Sequence, residues 1–142
     1  MEKAQIPSPN DQAIPNSPMT ESIGTPKSPV YNLQQRTEVF AQSIRSFVKL
    51  LPRTIANQED AKQLVRSSGS VGANYIEADE ALSKKDFLLR MKICRKEAKE
   101  TQYWLKLIDT ANATILDEQR QRLLNEARQL VLIFSAILRK CT

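Results

Sequence analysis

Histidine is absent from the 142 residues of this chain, and cysteine occurs only twice, at Cys94 and Cys141. The absence of histidine excludes Ser-His-Asp and Cys-His nucleophile systems, histidine-ligated zinc and haem, and the Glu-x-x-His di-iron sites of helical bundles. The two cysteines form no Cys-x-x-Cys pair, which is typical of reduced, partly buried thiols in a cytosolic protein. We therefore expect no metal or other cofactor, and a cytoplasmic location.

Long apolar runs are also missing. The longest strictly aliphatic or aromatic run is Leu130–Phe134, far too short to span a bilayer, and the first residues lack the apolar stretch of a signal peptide. The carboxylates of Glu77, Asp79 and Glu80 have no second group of ligands that would complete a metal site. No pattern predicts a catalytic pocket, so we expect a protein that is not an enzyme and has no small-molecule substrate.

Proline and glycine are scarce after residue 30, where only Pro52, Gly69 and Gly72 occur. Six of the seven prolines lie in residues 1–30, which hold few large apolar residues and carry a net charge of −1. Such a segment buries too little surface to offset its ordering entropy, so we predict a disordered Pro-rich tail. Two interpretations of its four Ser/Thr-Pro pairs stay open, namely modification or docking sites, or parts of a solubilising tail.

Residues 31–142 show apolar side chains at near-heptad spacing, which predicts four amphipathic helices. The predicted helices cover residues 31–51, 57–82, 83–108 and 116–140. Asn57 and Ser83 are the expected N-caps of the second and third helices, because each precedes an acidic residue by three positions. Four such helices joined by short loops predict one all-α domain, an up-down-up-down antiparallel four-helix bundle.

Two segments have residue patterns that the core of a single bundle does not require. The small residues at 67–73 of the second helix, including Gly69 and Gly72, predict the close approach of another backbone. In the fourth helix, the apolar run Leu130–Phe134 covers every side of the helix, so one core cannot bury it all. The run predicts a subunit interface that includes Leu132 and Ile133, and the alternative is a fully covered central helix.

The third predicted helix is strongly basic. Residues 84–108 contain eight Lys or Arg and three acidic residues, and residues 31–142 as a whole have a net charge of +6. At about 100° per residue, five of its six lysines cluster within an arc of roughly 80° on the side opposite the apolar stripe, and Lys84 lies at the N-terminal edge. This face is either an ordinary solvated surface or a track for phosphate groups. The residues expected to contact nucleic acid are Arg66, Lys85, Lys92, Arg95, Lys96, Lys99 and Lys106.

Further polar and aromatic residues have two interpretations each. Arg66, Ser70, Asn74 and Glu77 form a row on the second helix, either a hydrogen-bonded ladder facing another subunit or a wet surface. Tyr103 and Trp104 could stack on bases, whereas Trp104 equally suits a subunit interface or the edge of the core. The expected interface residues are Ser70, Asn74, Glu77, Trp104, Leu132 and Ile133.

Four segments of the chain resemble the bacterial four-helix bundle family known as the 23S rRNA-intervening sequence proteins. They are NLQQRTEVFAQSIRSFVKLLPRT, QLVRSSGSVGANYIEADEA, SKKDFLLRMKICRKEAKETQYWLKLI and NEARQLVLIFSAILRKC. The resemblance implies an up-down bundle that assembles into a homopentameric ring, similar in fold to a nucleic-acid-binding accessory protein of diversity-generating retroelements. The family often has Ile-x-Glu-Gly after Asn74, whereas this chain has alanine at the glycine position, Ala78.

Two functions follow as hypotheses. The first is a non-enzymatic homo-oligomer, a pentamer by the resemblance, that binds RNA or DNA through backbone phosphates without sequence preference. The second is a protein-interaction scaffold, such as an accessory subunit of a retroelement reverse transcriptase or a ribosome-associated factor. A membrane-surface role is not expected, because the apolar faces that it needs are assigned to the core.

Overall fold

The computed structural model describes residues 32–142, so the predicted disordered tail at residues 1–30 lies outside the described residues. Residues 32–142 form four α-helices and no β-strand. The helices are α1 (Leu33–Lys49), α2 (Ile55–Asp79), α3 (Lys84–Leu107) and α4 (Thr114–Cys141). The prediction of an all-α four-helix bundle is therefore confirmed for this part of the chain.

Helices that follow one another in sequence pack against one another, and α1 also contacts α4. Two pairs of side chains define the relative direction of α2 and α3. Arg66 of α2 binds Glu97 of α3, whereas Asn74, further along α2, binds Arg90, which is earlier in α3. These two helices are therefore antiparallel, and the up-down-up-down order of the whole bundle stays a prediction.

The core is built from the apolar stripes of all four helices. Most apolar residues at the predicted spacing are buried or half-buried. Leu82, the last residue of the apolar stripe predicted for the second helix, is 99% exposed because α2 already ends at Asp79. Burial of apolar surface on this scale is the main stabilising contribution to a bundle. The largest fully buried apolar side chains are Phe40, Ile44, Phe47, Leu64, Val71, Met91, Leu105, Leu130 and Phe134.

The start of α2 differs from the prediction. Thr54 is the N-cap, and its side chain accepts a hydrogen bond from the backbone N–H of Asn57 at 3.0 Å. The predicted cap, Asn57, is instead buried in the first turn of α2. Its Nδ2 donates to the carbonyl oxygens of Pro52 at 3.0 Å and Asp109 at 2.8 Å, and its Oδ1 accepts from the Asp109 N–H at 3.0 Å. Asn57 thus links the α1–α2 loop to the residues that follow α3.

Gly72 marks the close approach that the small residues of α2 predict. A Cβ at Gly72 would lie 2.9 Å from Oγ1 and 3.3 Å from Cβ of Thr37, a buried residue of α1. At Gly69, a Cβ would meet only Nη2 of Arg45, at 3.4 Å. Gly72 therefore allows α1 and α2 to pack closely, whereas Gly69 lies beside the end of a flexible side chain.

Candidate nucleic-acid interface

The outer face of α3 carries a row of five lysines, which we call the lysine face. Ser83 is the N-cap of α3, as predicted. Its Oγ accepts a hydrogen bond from the backbone N–H of Asp86 at 3.1 Å. The opposite side of the helix packs in the core, where Met91 and Ala98 are fully buried. Because that side is held in the core, the lysines face solvent. They are Lys85, Lys92, Lys96, Lys99 and Lys106, and all five are exposed.

The charge of the lysine face is largely uncompensated. Among residues 32–142, the ion pairs within 4.0 Å include none of these five ammonium groups. Lys96 does interact at longer range with Glu100, where it helps to lower the pKa of that carboxyl. Arg95, predicted to belong to the same surface, is half-buried at its edge. A row of unpaired cations along one helix gives a positive potential that attracts polyanions.

Arg66 has a different environment from the lysines. Its Nη1 lies 3.3 Å from Oε1 of Glu97, and its Nη2 donates to Oε2 of Glu100. The hydrogen bond with Glu100 raises the pKa of Arg66, although partial burial opposes the change. A phosphate contact by Arg66 stays a prediction, and its guanidinium already binds two carboxylates that link α2 to α3.

The two aromatic residues at 103 and 104 have separate environments. Trp104 is half-buried against the core, and its indole N–H donates to Oε2 of Glu100 at 2.8 Å, which lowers the pKa of that carboxyl. Tyr103 is 56% exposed, and its ring packs edge-to-face on Trp104 with centroids 5.0 Å apart at 71°. Of the two, Tyr103 is the one with a ring surface open to a ligand.

The polar row on α2 makes contacts inside the subunit that the sequence did not indicate. Asn74 is half-buried, its Nδ2 donates to the carbonyl of Ser70 at 2.9 Å, and its Oδ1 accepts from Nη1 of Arg90 at 3.0 Å. Ser70 is half-buried and Glu77 is exposed. The sequence analysis did not identify Arg90 as a partner of this row. The only signal for it was its position beside the apolar stripe of α3. Participation of this row in a subunit interface stays a prediction.

The apolar run of α4 is partly buried in the subunit. Leu130 and Phe134 are in the core, and Val131 and Ile133 are half-buried. Leu132 is 56% exposed and therefore available for a contact with another molecule. The subunit interface at Leu132 and Ile133 stays a prediction.

Two kinds of site have no counterpart in the described part of the chain. No group of three or more cysteine or acidic side chains in residues 32–142 is arranged to hold a metal ion. Likewise, none of the four described helices combines the length and apolar character needed to cross a membrane.

The fold and the lysine face together define a basic four-helix bundle, and comparison with known proteins narrows the class. Residues 31–136 match the family model described as 23S rRNA-intervening sequence protein, so this chain belongs to that family. A similar crystal structure is that of a protein of unknown function from the S23 ribosomal protein family of Bacteroides thetaiotaomicron. It is 31% identical, with a TM-score of 0.65, over 75% of this chain and 98% of that chain. No curated protein matches this chain.

Proposed function

We propose that this protein is a non-enzymatic, homo-oligomeric bundle that binds RNA or DNA through the phosphate backbone. The observation that carries the proposal is the lysine face, five exposed ammonium groups without carboxylate partners in residues 32–142. Lys85 and Lys106 are 21 residues apart, so the face extends for about 32 Å along α3 at about 1.5 Å per residue. A track of this length contacts several successive phosphates, and each neutralised phosphate releases counterions.

The contacts available to this face are suited to the backbone and not to base identity. Lysine ammonium groups bind phosphates as point charges, without the planar bidentate geometry by which arginine recognises guanine. We therefore expect affinity that falls steeply with salt and changes little with sequence.

The test is filter binding at two salt concentrations with a charge-reversed variant. In Lys92→Glu/Lys96→Glu/Lys99→Glu we expect strongly weakened binding, with a shallower dependence of log affinity on log salt. The matched control makes the same charge change away from the lysine face, and we expect it to retain most of the affinity. Unchanged binding in the first variant, or equal loss in both, would contradict the assignment. The control substitutions are Lys49→Glu, Lys62→Glu and Lys140→Glu, all at exposed positions.

Oligomerisation is the second part of the proposal and is supported by the exposed Leu132 on α4. Symmetric repetition of the subunit would multiply the lysine face into a larger basic surface. Native mass spectrometry with and without RNA reports the number of subunits, for which the family resemblance implies five, and the bound nucleic acid. A monomer at micromolar concentration would contradict this part and leave phosphate binding to be judged separately.

A protein-interaction scaffold is the alternative function, in which the lysine face would meet an acidic protein surface. A reverse transcriptase or a ribosomal partner would then replace free nucleic acid as the ligand. A reverse transcriptase gene with a template repeat beside this gene would favour the first partner, and a surrounding rRNA gene would favour the second. Weak, salt-insensitive binding of free RNA and DNA would favour the scaffold over the first proposal.

A further inference from the structure

Tyr103 lies on the lysine face, near its C-terminal end. It follows Lys85 by 18 residues, which is five turns at about 3.6 residues per turn, so the two residues project from the same side of α3. Lys99 precedes Tyr103 by four residues and Lys106 follows it by three. Side chains at these spacings are neighbours on a helix surface, so the position of Tyr103 on α3 lies between those of Lys99 and Lys106.

The ring of Tyr103 is exposed and contacts a neighbouring ring. It is 56% exposed, and its edge-to-face contact joins it to Trp104, whose indole N–H is bound to Glu100. Glu100 is in turn bound by Arg66 of α2. We expect this chain of contacts to limit the motion of the ring, so that little ordering entropy is lost when a ligand stacks on it.

We infer that the lysine face selects single-stranded over double-stranded nucleic acid, with Tyr103 as the platform on which an unpaired base stacks. The inference rests on the proposed function and adds the class of ligand to it. Bases of a duplex are stacked on one another and present only their edges in the grooves, whereas a single strand can turn a base face onto an aromatic ring. Lysines on either side of the ring would hold the adjoining phosphates.

An exposed apolar residue of α3 without a ring provides a control that distinguishes base stacking from a general hydrophobic contribution to binding. Leu89 is 54% exposed on the same helix but has no aromatic face, so it cannot replace Tyr103 as a platform. Leu89→Ala is therefore a matched control that removes a large exposed side chain from α3 without removing a ring.

The experiment measures fluorescence anisotropy of a fluorescein-labelled, mixed-sequence DNA strand and of the duplex that it forms with its complement. With the full-length protein we expect tighter binding of the single strand. We expect Tyr103→Ala to weaken single-strand binding by roughly 5- to 150-fold, the range found for loss of one stacked base. Duplex binding and the salt dependence of both complexes should change little, because the lysines remain.

Two further measurements make the result specific. Tyr103→Phe retains the ring and should restore single-strand affinity, and Leu89→Ala should leave it unchanged. Trp104 is the only tryptophan of the chain and lies beside Tyr103, so its fluorescence should change when the single strand binds and change less in Tyr103→Ala.

Equal losses for single strand and duplex in Tyr103→Ala, or no loss for either, would overturn the inference. If Tyr103→Ala gives either of these results and Lys92→Glu/Lys96→Glu/Lys99→Glu still weakens binding, the lysine face binds phosphates without base stacking by Tyr103. If neither nucleic acid binds the unmodified protein, the proposed function itself fails.

Discussion

The contact between Gly72 and Thr37 leads to a quantitative prediction about how closely α1 and α2 pack. Alanine at a helical glycine position normally stabilises a helix by about 0.5–1 kcal/mol, because glycine loses more backbone entropy on folding. At Gly72 the added methyl group would lie 2.9 Å from Oγ1 of Thr37, closer than two such atoms can approach. Either the Thr37 side chain or one of the helices must move.

Thr37 has little freedom to move. It is buried, and its hydroxyl donates to the backbone carbonyl of Gln34 at 3.0 Å. Overpacking of a close-packed site costs about 1–3 kcal/mol, which exceeds the gain in helix propensity. We therefore expect Gly72→Ala to lower the free energy of unfolding by about 1 kcal/mol.

Gly69→Ala is the matched control on the same helix. Its added methyl group would meet only the end of the exposed Arg45 side chain, at 3.4 Å. Since that side chain can shift, the gain in propensity remains, and we expect Gly69→Ala to raise the free energy of unfolding by about 0.5–1 kcal/mol. The two alanine variants should thus differ by about 2 kcal/mol.

Urea unfolding followed by far-ultraviolet circular dichroism measures this difference. Chain concentration must be the same for all variants, because association between copies would shift the apparent stability. A double-mutant cycle with Thr37→Ala isolates the collision, and the cost of Gly72→Ala should fall by about 1 kcal/mol in that background. If Gly72→Ala is as stable as Gly69→Ala, the close approach of α1 to α2 at this point is refuted.

Two further predictions concern buried groups. Asn57→Ala should lower the free energy of unfolding by about 2–4 kcal/mol in the same urea assay, because the backbone groups of Pro52 and Asp109 lose their hydrogen bonds. A decrease below about 0.5 kcal/mol would contradict this prediction. Burial raises the pKa of the Cys94 thiol to about 12, so this residue stays a protonated, unreactive thiol near pH 8. Ellman's reagent should then label only the half-exposed Cys141 in native protein and both thiols in denaturant, whereas rapid native labelling of Cys141→Ser would disprove the burial.

The helices and the core were predictable because their signals are local. The N-cap at Ser83 needs only a hydroxyl and a free N–H three residues later, and the structure confirms it at 3.1 Å. The start of α2 was mispredicted because Thr54 and Asn57 are both competent caps, and burial of Asn57 against Asp109 decides between them. Residue 109 is distant in sequence, so no local pattern contains that contact.

The candidate site was predicted in part for the same reason. Lysines at helical spacing opposite an apolar stripe must face outward, so the exposure of Lys92 and Lys99 followed from periodicity. The hydrogen bonds of Arg66 with Glu97 and Glu100 could not be predicted from periodicity, because the packing of α3 on α2 brings those carboxylates to the guanidinium. Periodicity states which side of a helix faces the core and does not state which side chains lie opposite.

The sequence by itself determined four amphipathic helices, their apolar stripes and a basic outer face on α3, since each depends on residue spacing along one helix. Only the tertiary structure decided that Arg66 joins α2 to α3, that Asn57 links two loops, and that Trp104 is half-buried with its indole N–H bound to Glu100. These contacts depend on the register and rotation of one helix against another, which are set when large buried side chains interlock.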